Sequence, residues 1–415
     1  RFVSYARDVP TGILTPRSVV SETRREVPLR SRLGYLQGFA ASTPASYLAS
    51  LPPNSPEYAR LLREKMYLER LLAQGGWGSA VPSGSLTVGA SGVAVVALRD
   101  RLVAMGYMER SATQTYDATI QVAVQRFQQA HGLTEDGEAG AGTLTEINVP
   151  AASRLQQIIV AMERERWMNR PRAERHVWVN LVDFSAAIMD NDRVTFQTRS
   201  VIGATVTDRQ TPEFSDVMEF MVINPSWYVP RSIIVNEYLP ALQGNRNAVS
   251  HIEITDRNGR AINRSNVNFS QFNSRTFPYS MRQPPSRGNA LGLVKFIFPN
   301  QYNIYLHDTP AKSLFGREVR AFSHGCIRLN DPFDFAYELL AAQENDPEGV
   351  FNSYLSTGRE TRVNLDEPVP VHLVYRTAFT HTTGQLNFRR DVYDRDSRIW
   401  NALANEGVAV PAIGG

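Results

Sequence analysis

The chain contains a single cysteine, Cys326, among its 415 residues. One cysteine cannot form a disulfide within the chain, so the fold has to be held by hydrophobic cores, and a zinc site built on several cysteines is excluded. Three roles remain open for the thiol: an inert buried side chain, one ligand of a histidine-rich metal site, or a nucleophile. The residues around Cys326 have to decide among these roles.

The composition supports several folded domains. Hydrophobic residues make up 42% and charged residues 20% of the chain, which is typical of globular proteins and excludes wholesale disorder. At about 100–200 residues per domain, the length predicts two to four domains. Lysine and arginine (44) nearly balance aspartate and glutamate (41), so the chain lacks the concentrated positive field that a nucleic-acid partner requires.

The sequence gives no sign of a membrane anchor. No window approaches about 18 uninterrupted apolar residues, which predicts no membrane span in the chain shown. The sequence begins at Arg1 rather than at methionine, so we expect a processed or trimmed chain. A signal peptide or anchor removed from such a chain would not be visible.

Residues 1–80 are predicted to form part of a helical scaffold. The tripeptide Ser55-Pro56-Glu57 starts a helix, because it combines a capping hydroxyl, a proline in the first turn and an acid near the positive helix end. Apolar residues then recur near one helical face: Tyr58, Leu61, Leu62, Leu68, Leu71 and Leu72. No motif in this segment points to a catalytic or binding function.

Residues 81–149 are predicted to form a separate bundle of three short helices. Two apolar stripes are each closed by a glycine: Val95, Leu98, Leu102 and Met105 before Gly106, then Ile120, Ala123, Val124 and Phe127 before Gly132. The order of Gly89-Ala90-Ser91-Gly92, 123–128, Gly132-Leu133, Asp136-Gly137 and Gly140 with Thr143 resembles the peptidoglycan-binding three-helix module of many cell-wall enzymes. The alternative is a helical spacer that has lost its ligand.

Residues 150–380 are predicted to form a mostly-β domain, which makes the whole chain a multidomain α+β protein. A connecting helix near 155–162 is followed by strands near 177–181, 194–203, 220–223, 293–298, 303–307 and 369–375. The stretch at about 231–291 is loop-rich, and insertions of this length often act as lids. Residues 381–415 are expected to pack as a tail on this mostly-β domain or on the scaffold.

The residues around Cys326 favour a nucleophile. A thiol nucleophile needs a base, backbone N–H groups aimed at the developing oxyanion, and an exposed turn. Two histidines, His307 and His324, lie within nineteen positions of the cysteine, and Gly325 permits an unusual turn. We also expect the helix that begins at Asp331-Pro332 to favour the thiolate through its dipole.

This segment closely resembles a family signature. His307, a gap of fifteen residues, then Ser323-His324-Gly325-Cys326 with Arg328 is similar to the signature of L,D-transpeptidases with a YkuD-type catalytic domain. The stretch 224–233 resembles the pre-insertion motif of the long, YcbB-like subgroup. That subgroup also has a helical scaffold, a peptidoglycan-binding module and an inserted capping subdomain, and this chain has the same order of parts.

The resemblance implies a mechanism and roles for specific residues. Cys326 would attack the carbonyl of meso-diaminopimelate at position three of a tetrapeptide stem, D-Ala would leave, and the thioester would be taken by a second stem, giving a 3–3 crosslink. His307 would be the general base, and the N–H groups of Gly325 and Cys326 would form much of the oxyanion hole. A main-chain carbonyl or a small polar residue should orient His307, and we leave the role of Asp308 open.

The other candidate residues each allow two interpretations. Ser323 is expected to bind substrate, and His324 either lines the site or hydrogen-bonds the turn. Arg328 either binds a substrate carboxylate or fixes the loop through backbone carbonyls. Tyr305 and Trp227 either wall the substrate stem or belong to the core. The remaining histidines have no motif support.

Rival functions remain. His307, His324 and Cys326 would supply the three ligands of a catalytic zinc, and the helical module alone would suit a non-catalytic peptidoglycan-binding protein. A third alternative keeps the acyl-enzyme and changes the acceptor to an envelope protein or a D-amino acid. We expect no metal or organic cofactor, donor and acceptor stems as substrates, cell-wall synthases as candidate partners, sensitivity to carbapenems, and a periplasmic role in cell-wall biogenesis and cell shape.

Overall fold

The computed structural model describes residues 1–169, 171–381 and 383–410. The chain begins with five helices: α1 Phe2–Thr11, α2 Pro16–Val19, α3 Arg32–Ala40, α4 Pro44–Ala49 and α5 Pro56–Ala73. The predicted start of α5 is confirmed, because Ser55 Oγ accepts a hydrogen bond of 3.1 Å from the Tyr58 N–H. These helices supply one side of the scaffold.

The predicted three-helix module is confirmed as α6 Val93–Ala104, α7 Ala118–His131 and α8 Ala141–Ile147. It has a core of its own, built from the two predicted stripes together with Tyr116, Leu144 and Ile147. Gly132 ends α7 with φ of 65°, the left-handed conformation that the glycine stop predicted. The module therefore has the compact core expected of an independent unit.

Helix α9, Ala151–Trp167, was expected to belong to the mostly-β domain, which was predicted to begin at residue 150, but it packs elsewhere. Its apolar side chains share a core with α5 and with three C-terminal elements, β13 Ala378–Thr380, β14 Leu386–Phe388 and α14 Arg395–Asn405. The buried apolar residues of α9 pack in this core and not in the core of the large sheet. Helix α9 therefore belongs to the scaffold. The tail completes the same core, and its last residues, 411–415, lie outside the described part of the chain.

The catalytic domain is built on a nine-stranded sheet in the order β10-β3-β11-β9-β8-β4-β12-β1-β2. The strands are β1 Arg175–Asn180, β2 Ser185–Asp190, β3 Arg193–Gly203, β4 Phe214–Ile223, β8 Val294–Ile297, β9 Leu306–His307, β10 Ala321–Ser323, β11 Ile327–Leu329 and β12 Thr361–Val374. Because β2 pairs with both β1 and β3, the sheet closes on itself around an apolar core. Helices α12 Pro332–Leu340 and α13 Pro347–Ser356 pack against it, and the predicted mostly-β class is confirmed.

The insertion between β4 and β8 is more ordered than its sequence predicts. It forms a cap with a three-stranded sheet in the order β5-β7-β6, made of Trp227–Tyr228, Ser280–Gln283 and Glu253–Thr255. A continuous helical stretch lies between β5 and β6: α10 Arg231–Ile233, a π-turn Ile234–Tyr238 and α11 Leu239–Gly244. Eleven buried apolar residues, among them Ile254 and Phe277, give the cap its own core. The strands are too short to produce a clear alternating pattern, which explains the loop-rich expectation.

Candidate active site

Two neighbouring strands bring the halves of the cysteine motif together. Strands β11 and β9 run parallel, with Ile327 opposite Leu306 and Arg328 opposite His307. Ile327 and Leu306 are fully buried in the catalytic core. Since side chains alternate along a strand, Arg328 and His307 point to the other face of the sheet, as does Cys326 one residue before the strand. Arg328 and His307, which are 21 positions apart in sequence, are therefore neighbours in the fold.

His307 is held in one tautomer. Its Nδ1 lies 2.5 Å from the carbonyl oxygen of Asp308, and since a carbonyl can only accept, the proton is on Nδ1 and Nε2 is left as an acceptor. Burial lowers the pKa of His307 to about 3, and the positive charges of Arg328 and Lys295 act in the same direction. The ring is therefore neutral near neutral pH and able to accept a proton.

The carbonyl of Asp308, rather than its carboxylate, orients the histidine. The Asp308 carboxylate accepts hydrogen bonds from the Leu293 N–H at 2.9 Å and from Lys312 Nζ at 2.8 Å. The side chain thus points away from the ring and fixes the backbone at the end of β9. The third member of the constellation, which the sequence left open, is a main-chain carbonyl.

Cys326 is half-buried, and its Sγ–H points toward the Asn303 carbonyl oxygen at 3.5 Å. Burial raises the pKa of the thiol to about 11, although Tyr305 and Arg328 favour the thiolate. The expectation that a helix dipole favours the thiolate is wrong, because strand β11 separates Cys326 from the start of α12 at Pro332. The resting thiol is protonated and depends on a base.

Ser323 and Gly325 shape the turn that carries the cysteine. Gly325 has φ of 115°, which strains any residue with a side chain, and an added Cβ would lie 3.1 Å from Ile304. Ser323 Oγ donates to the Cys326 carbonyl at 2.5 Å and accepts from the Gly325 N–H at 3.1 Å. The Gly325 N–H is therefore occupied, contrary to its expected place in an oxyanion hole. The Cys326 N–H makes no hydrogen bond to any described residue.

Arg328 and Tyr305 lie beside the thiol. The half-buried guanidinium of Arg328 forms no hydrogen bond with any described residue, so it does not fix the loop through backbone carbonyls. The Tyr305 ring lies 5.6 Å from the His307 ring, centroid to centroid. Burial raises the pKa of Tyr305 well above its usual value, and the neighbouring Cys326 adds to this shift. Both side chains line the space around the sulfur.

His324 and Trp227 contact the cap instead. His324 is exposed, and its Nε2 lies 2.7 Å from a carboxylate oxygen of Glu237 in the π-turn of the cap. Arg209 donates to the same oxygen at 2.9 Å. Trp227 packs on the cap core, with its ring 6.3 Å from that of Tyr238. The structure thus gives Trp227 a packing contact within the cap and makes His324 part of a bridge to it.

Sequence reasoning missed three residues that support this site. Thr211 fixes the Gly325 carbonyl, Lys295 lies opposite His307 in the strand register, and Glu237 joins the cap to the cysteine turn. None of them belongs to a motif near the cysteine in sequence. Only the strand pairing of Lys295 would have been a usable signal, because β8 and β9 were both predicted as strands.

The described residues contain no group of three or more His, Cys, Asp or Glu side chains placed to hold a metal ion. His307, His324 and Cys326, the three ligands considered for zinc, are therefore not arranged as a metal site. In the same part of the chain, none of the helices combines the length and apolar character needed to cross a membrane.

Two protein families match the chain. Residues 174–363 match the YkuD family, described as "L,D-transpeptidase catalytic domain", and residues 91–147 match a family described as "Putative peptidoglycan binding domain". The first match spans the cap, the cysteine turn and the sheet strands as far as the start of β12. The second spans the three helices of the module.

A curated relative also matches: a protein of Haemophilus influenzae described as "Putative L,D-transpeptidase" is 28% identical over 242 residues. The match covers 58% of this chain and 48% of the relative, so the alignment spans about half of the relative's length. The similar solved structures include L,D-transpeptidases of Stackebrandtia nassauensis (14% identity, 71% of this chain and 97% of that chain, TM-score 0.27) and Xylanimonas cellulosilytica (14%, 72% and 98%, TM-score 0.22). TM-scores this low do not support an assignment, which rests on the family matches. The chain therefore carries a YkuD-family L,D-transpeptidase catalytic domain preceded by a peptidoglycan-binding domain.

Proposed function

We propose that this protein is a cysteine L,D-transpeptidase that forms 3–3 crosslinks between peptidoglycan stems. The observation that carries the proposal is that Cys326, the residue before β11, lies on the same face of the sheet as a buried, neutral His307 on the adjacent strand β9. A protonated thiol and a neutral imidazole on one face of a sheet are the two groups that nucleophilic catalysis requires. The domain matches supply the substrate class, and the cap between β4 and β8 supports membership of the long, YcbB-like subgroup.

In the first step, His307 Nε2 takes the proton of the Cys326 thiol as the sulfur attacks the carbonyl of the third stem residue, meso-diaminopimelate. The bond to D-Ala then breaks, and the imidazolium gives its proton to the departing amine, which leaves a thioester. In the second step, the side-chain amine of another stem attacks the thioester and loses a proton to His307. A new amide forms and the thiol is restored.

The Cys326 N–H is our proposed donor to the tetrahedral oxyanion, because it belongs to the nucleophilic residue itself and makes no hydrogen bond to a described residue. The Gly325 N–H would have to leave Ser323 Oγ before it could join in. Arg328 suits a diaminopimelate or D-Ala carboxylate, because its guanidinium has no other acceptor among those residues. Tyr305 would wall the stem beside the sulfur.

A protein with this activity would work on the cell wall, in the periplasm of a diderm envelope, where other cell-wall synthases are candidate partners. A lone cysteine suits such an oxidising compartment, since the thiol has no internal partner with which to form a disulfide. A carbapenem should acylate Cys326 by the same attack on a carbonyl.

Incubation with purified disaccharide-tetrapeptides tests the reaction and the acceptor together. We expect 3–3 linked dimers and free D-Ala by mass spectrometry, a thioester adduct on the wild type, and neither with Cys326→Ala. Dimers formed by Cys326→Ala would contradict the nucleophile. A thioester adduct that reacts only with added D-amino acids or with a protein amine would indicate one of the alternative acceptors. If no adduct forms at all, the result would favour a non-catalytic peptidoglycan-binding protein.

A further inference from the structure

We propose that Tyr393 and Arg395 of the tail are positioning residues for the cysteine turn at 323–326, and that they act through the 209–213 segment that leads into β4. The inference rests on the proposed function and adds the tail to the groups that support its active site. The match to the L,D-transpeptidase family ends at residue 363, so both side chains lie outside the matched part. Both are buried, and each is bonded to backbone next to the turn.

The 209–213 segment packs directly against the cysteine turn. Gly203, at the end of β3, pairs with β10, the strand that leads into the turn. The segment crosses Gly203 so closely that an added Cβ would overlap the Arg209 carbonyl oxygen and lie 2.7 Å from the Thr211 nitrogen. On the other side, the Thr211 hydroxyl donates to the Gly325 carbonyl at 2.7 Å. A shift of the segment would therefore move the turn with it.

The tail bonds the opposite side of this segment. The Tyr393 hydroxyl donates to the Gly203 carbonyl at 2.6 Å and accepts a longer bond of 3.4 Å from the Thr211 N–H. Burial raises the pKa of Tyr393 to about 12, so the hydroxyl keeps its proton near neutral pH and remains a donor. Arg395 donates to the Thr211 carbonyl at 2.8 Å and to a Glu213 carboxylate oxygen at 3.2 Å. Both backbone polar groups of Thr211 are thus bonded to the tail.

The two tail side chains are themselves fixed to the catalytic sheet through Tyr375, the residue after β12. The Asp391 carboxylate accepts from the Tyr375 hydroxyl at 2.5 Å and from the Arg395 N–H at 2.9 Å. The Tyr375 hydroxyl accepts from the Tyr393 N–H at 2.8 Å, and the two tyrosine rings stack with centroids 5.7 Å apart. The Arg395 guanidinium lies 4.9 Å from the first ring and 4.6 Å from the second. These contacts hold both side chains in one orientation.

Charge keeps Arg395 in place beside the segment. Burial alone would raise the pKa of Glu213, but the guanidiniums of Arg164 and Arg395 lower it to about 2. The carboxylate is therefore ionised, and a buried ionised group requires its partners. Since Arg395 is fully buried and bound to this carboxylate, its second bond, to the Thr211 carbonyl, is already formed in the resting protein.

Iodoacetamide labelling of Cys326 tests the positioning role without relying on enzymatic activity, because the chain has one cysteine. Tyr393→Phe removes the bond to the Gly203 carbonyl and keeps the ring. A loosened turn should expose the sulfur and speed labelling near pH 7 by about fivefold, the population change that one lost hydrogen bond typically produces. Tyr47→Phe is the matched control, because it removes a buried hydroxyl that donates to the Tyr35 carbonyl at 3.0 Å among the N-terminal helices. It should leave labelling unchanged.

A double-mutant cycle shows whether the tail acts through Thr211. Adding Tyr393→Phe to Thr211→Val should speed labelling by less than about twofold over Thr211→Val alone, because the turn is already released. Arg395→Lys keeps a charge beside Glu213 but lacks the fork that reaches the Thr211 carbonyl as well, so it should label like Tyr393→Phe. Labelling is done well below the melting temperature of each variant, so that global unfolding does not contribute.

Acylation by the disaccharide-tetrapeptide at saturating concentration supplies the second measurement. The rate constant of Tyr393→Phe should fall by about fivefold while the half-saturating concentration stays the same, because the nucleophile is misplaced and substrate binding is not affected.

Three results would overturn the positioning role: Tyr393→Phe labels like wild type, Tyr47→Phe labels as fast as Tyr393→Phe, or the effects in the cycle multiply fully. If labelling follows the prediction while wild type never forms a thioester, the positioning role stands and the transpeptidase proposal fails. If wild type forms the thioester while Tyr393→Phe matches Tyr47→Phe in both measurements, the activity stands and the positioning role fails.

Discussion

The hydroxyl of Thr211 donates a hydrogen bond of 2.7 Å to the carbonyl oxygen of Gly325, the residue before the cysteine. The hydroxyl oxygen of Thr211 also accepts a hydrogen bond of 2.9 Å from the Gly203 N–H. One side chain therefore connects the cysteine turn to the end of β3. Thr211 is fully buried, and Arg395 in the tail donates to its carbonyl at 2.8 Å. The turn that carries the cysteine is thereby fastened by a residue 115 positions upstream of it.

Thr211→Val should slow acylation of Cys326 by about tenfold or more, because it leaves the Gly325 carbonyl and the Gly203 N–H without a buried partner. Thr211→Ser keeps the hydroxyl and should restore most of the rate. The rate of thioester formation with a carbapenem, followed by mass spectrometry, measures both. Equal rates for the valine and serine variants would show that the hydroxyl does not position the turn.

The Cys326 thiol should alkylate faster as pH rises, without levelling off near the pKa of a free cysteine. Burial raises its pKa to about 11, so the thiolate fraction should grow by about tenfold per pH unit from about pH 7 to about pH 10. Because the chain has one cysteine, the rate of iodoacetamide labelling reports on Cys326 alone, and Cys326→Ala gives the background. A plateau at about pH 9 or below would contradict a raised pKa.

His307→Ala should lower the rate of acylation by about 10²–10⁴-fold, because it removes the proposed general base, which lies on the adjacent strand and on the same face of the sheet as Cys326. His324→Ala is the comparison, since that ring lies against Glu237 and should cost much less. Both rates are measured with the same disaccharide-tetrapeptide donor. A small loss at His307 combined with a larger one at His324 would reverse the roles assigned to the two histidines.

Glu237→Ala should loosen the cap, because Glu237 bonds both His324 of the cysteine turn and Arg209 after β3. Exposed ion pairs contribute little, so we expect hydrogen exchange of the cap backbone at 231–291 to accelerate by at most about fivefold. Glu253→Ala breaks an ion pair that lies wholly within the cap and is the matched control. If the two variants accelerate hydrogen exchange equally in the part of the cap that faces His324, Glu237 does not hold the cap against the cysteine turn.

Several elements were predictable because their signals are local. The start of α5 needs only a serine, a proline and an acid in succession, and the three helices of the module need only apolar stripes closed by glycines. The motif around Cys326 was equally visible, since His307 ends a predicted strand and the cysteine follows a glycine that permits a sharp turn. The structure places both on one face of the sheet.

Other features were not predictable, because they depend on contacts between residues far apart in sequence. Helix α9 reads like a connecting helix, yet it is buried between α5 and the tail. The cap reads like a loop, yet its short strands pair because the insertion folds back on a core of its own. Trp227 belongs to that core rather than beside the sulfur.

The sequence by itself determined which chemistry is available: one thiol, a histidine at a fixed distance along the chain, and a glycine that permits a sharp turn. Only the tertiary structure decided how these groups are used. The Asp308 carbonyl selects the tautomer of His307, and the Ser323 hydroxyl accepts a hydrogen bond from the Gly325 N–H. The Thr211 hydroxyl donates to the Gly325 carbonyl and so fixes the turn. The physical reason is that hydrogen bonds are directional and act over about 3 Å, so they form only between groups that the fold brings together. Which strands become neighbours is decided by tertiary packing and cannot be derived from the spacing of residues along the chain.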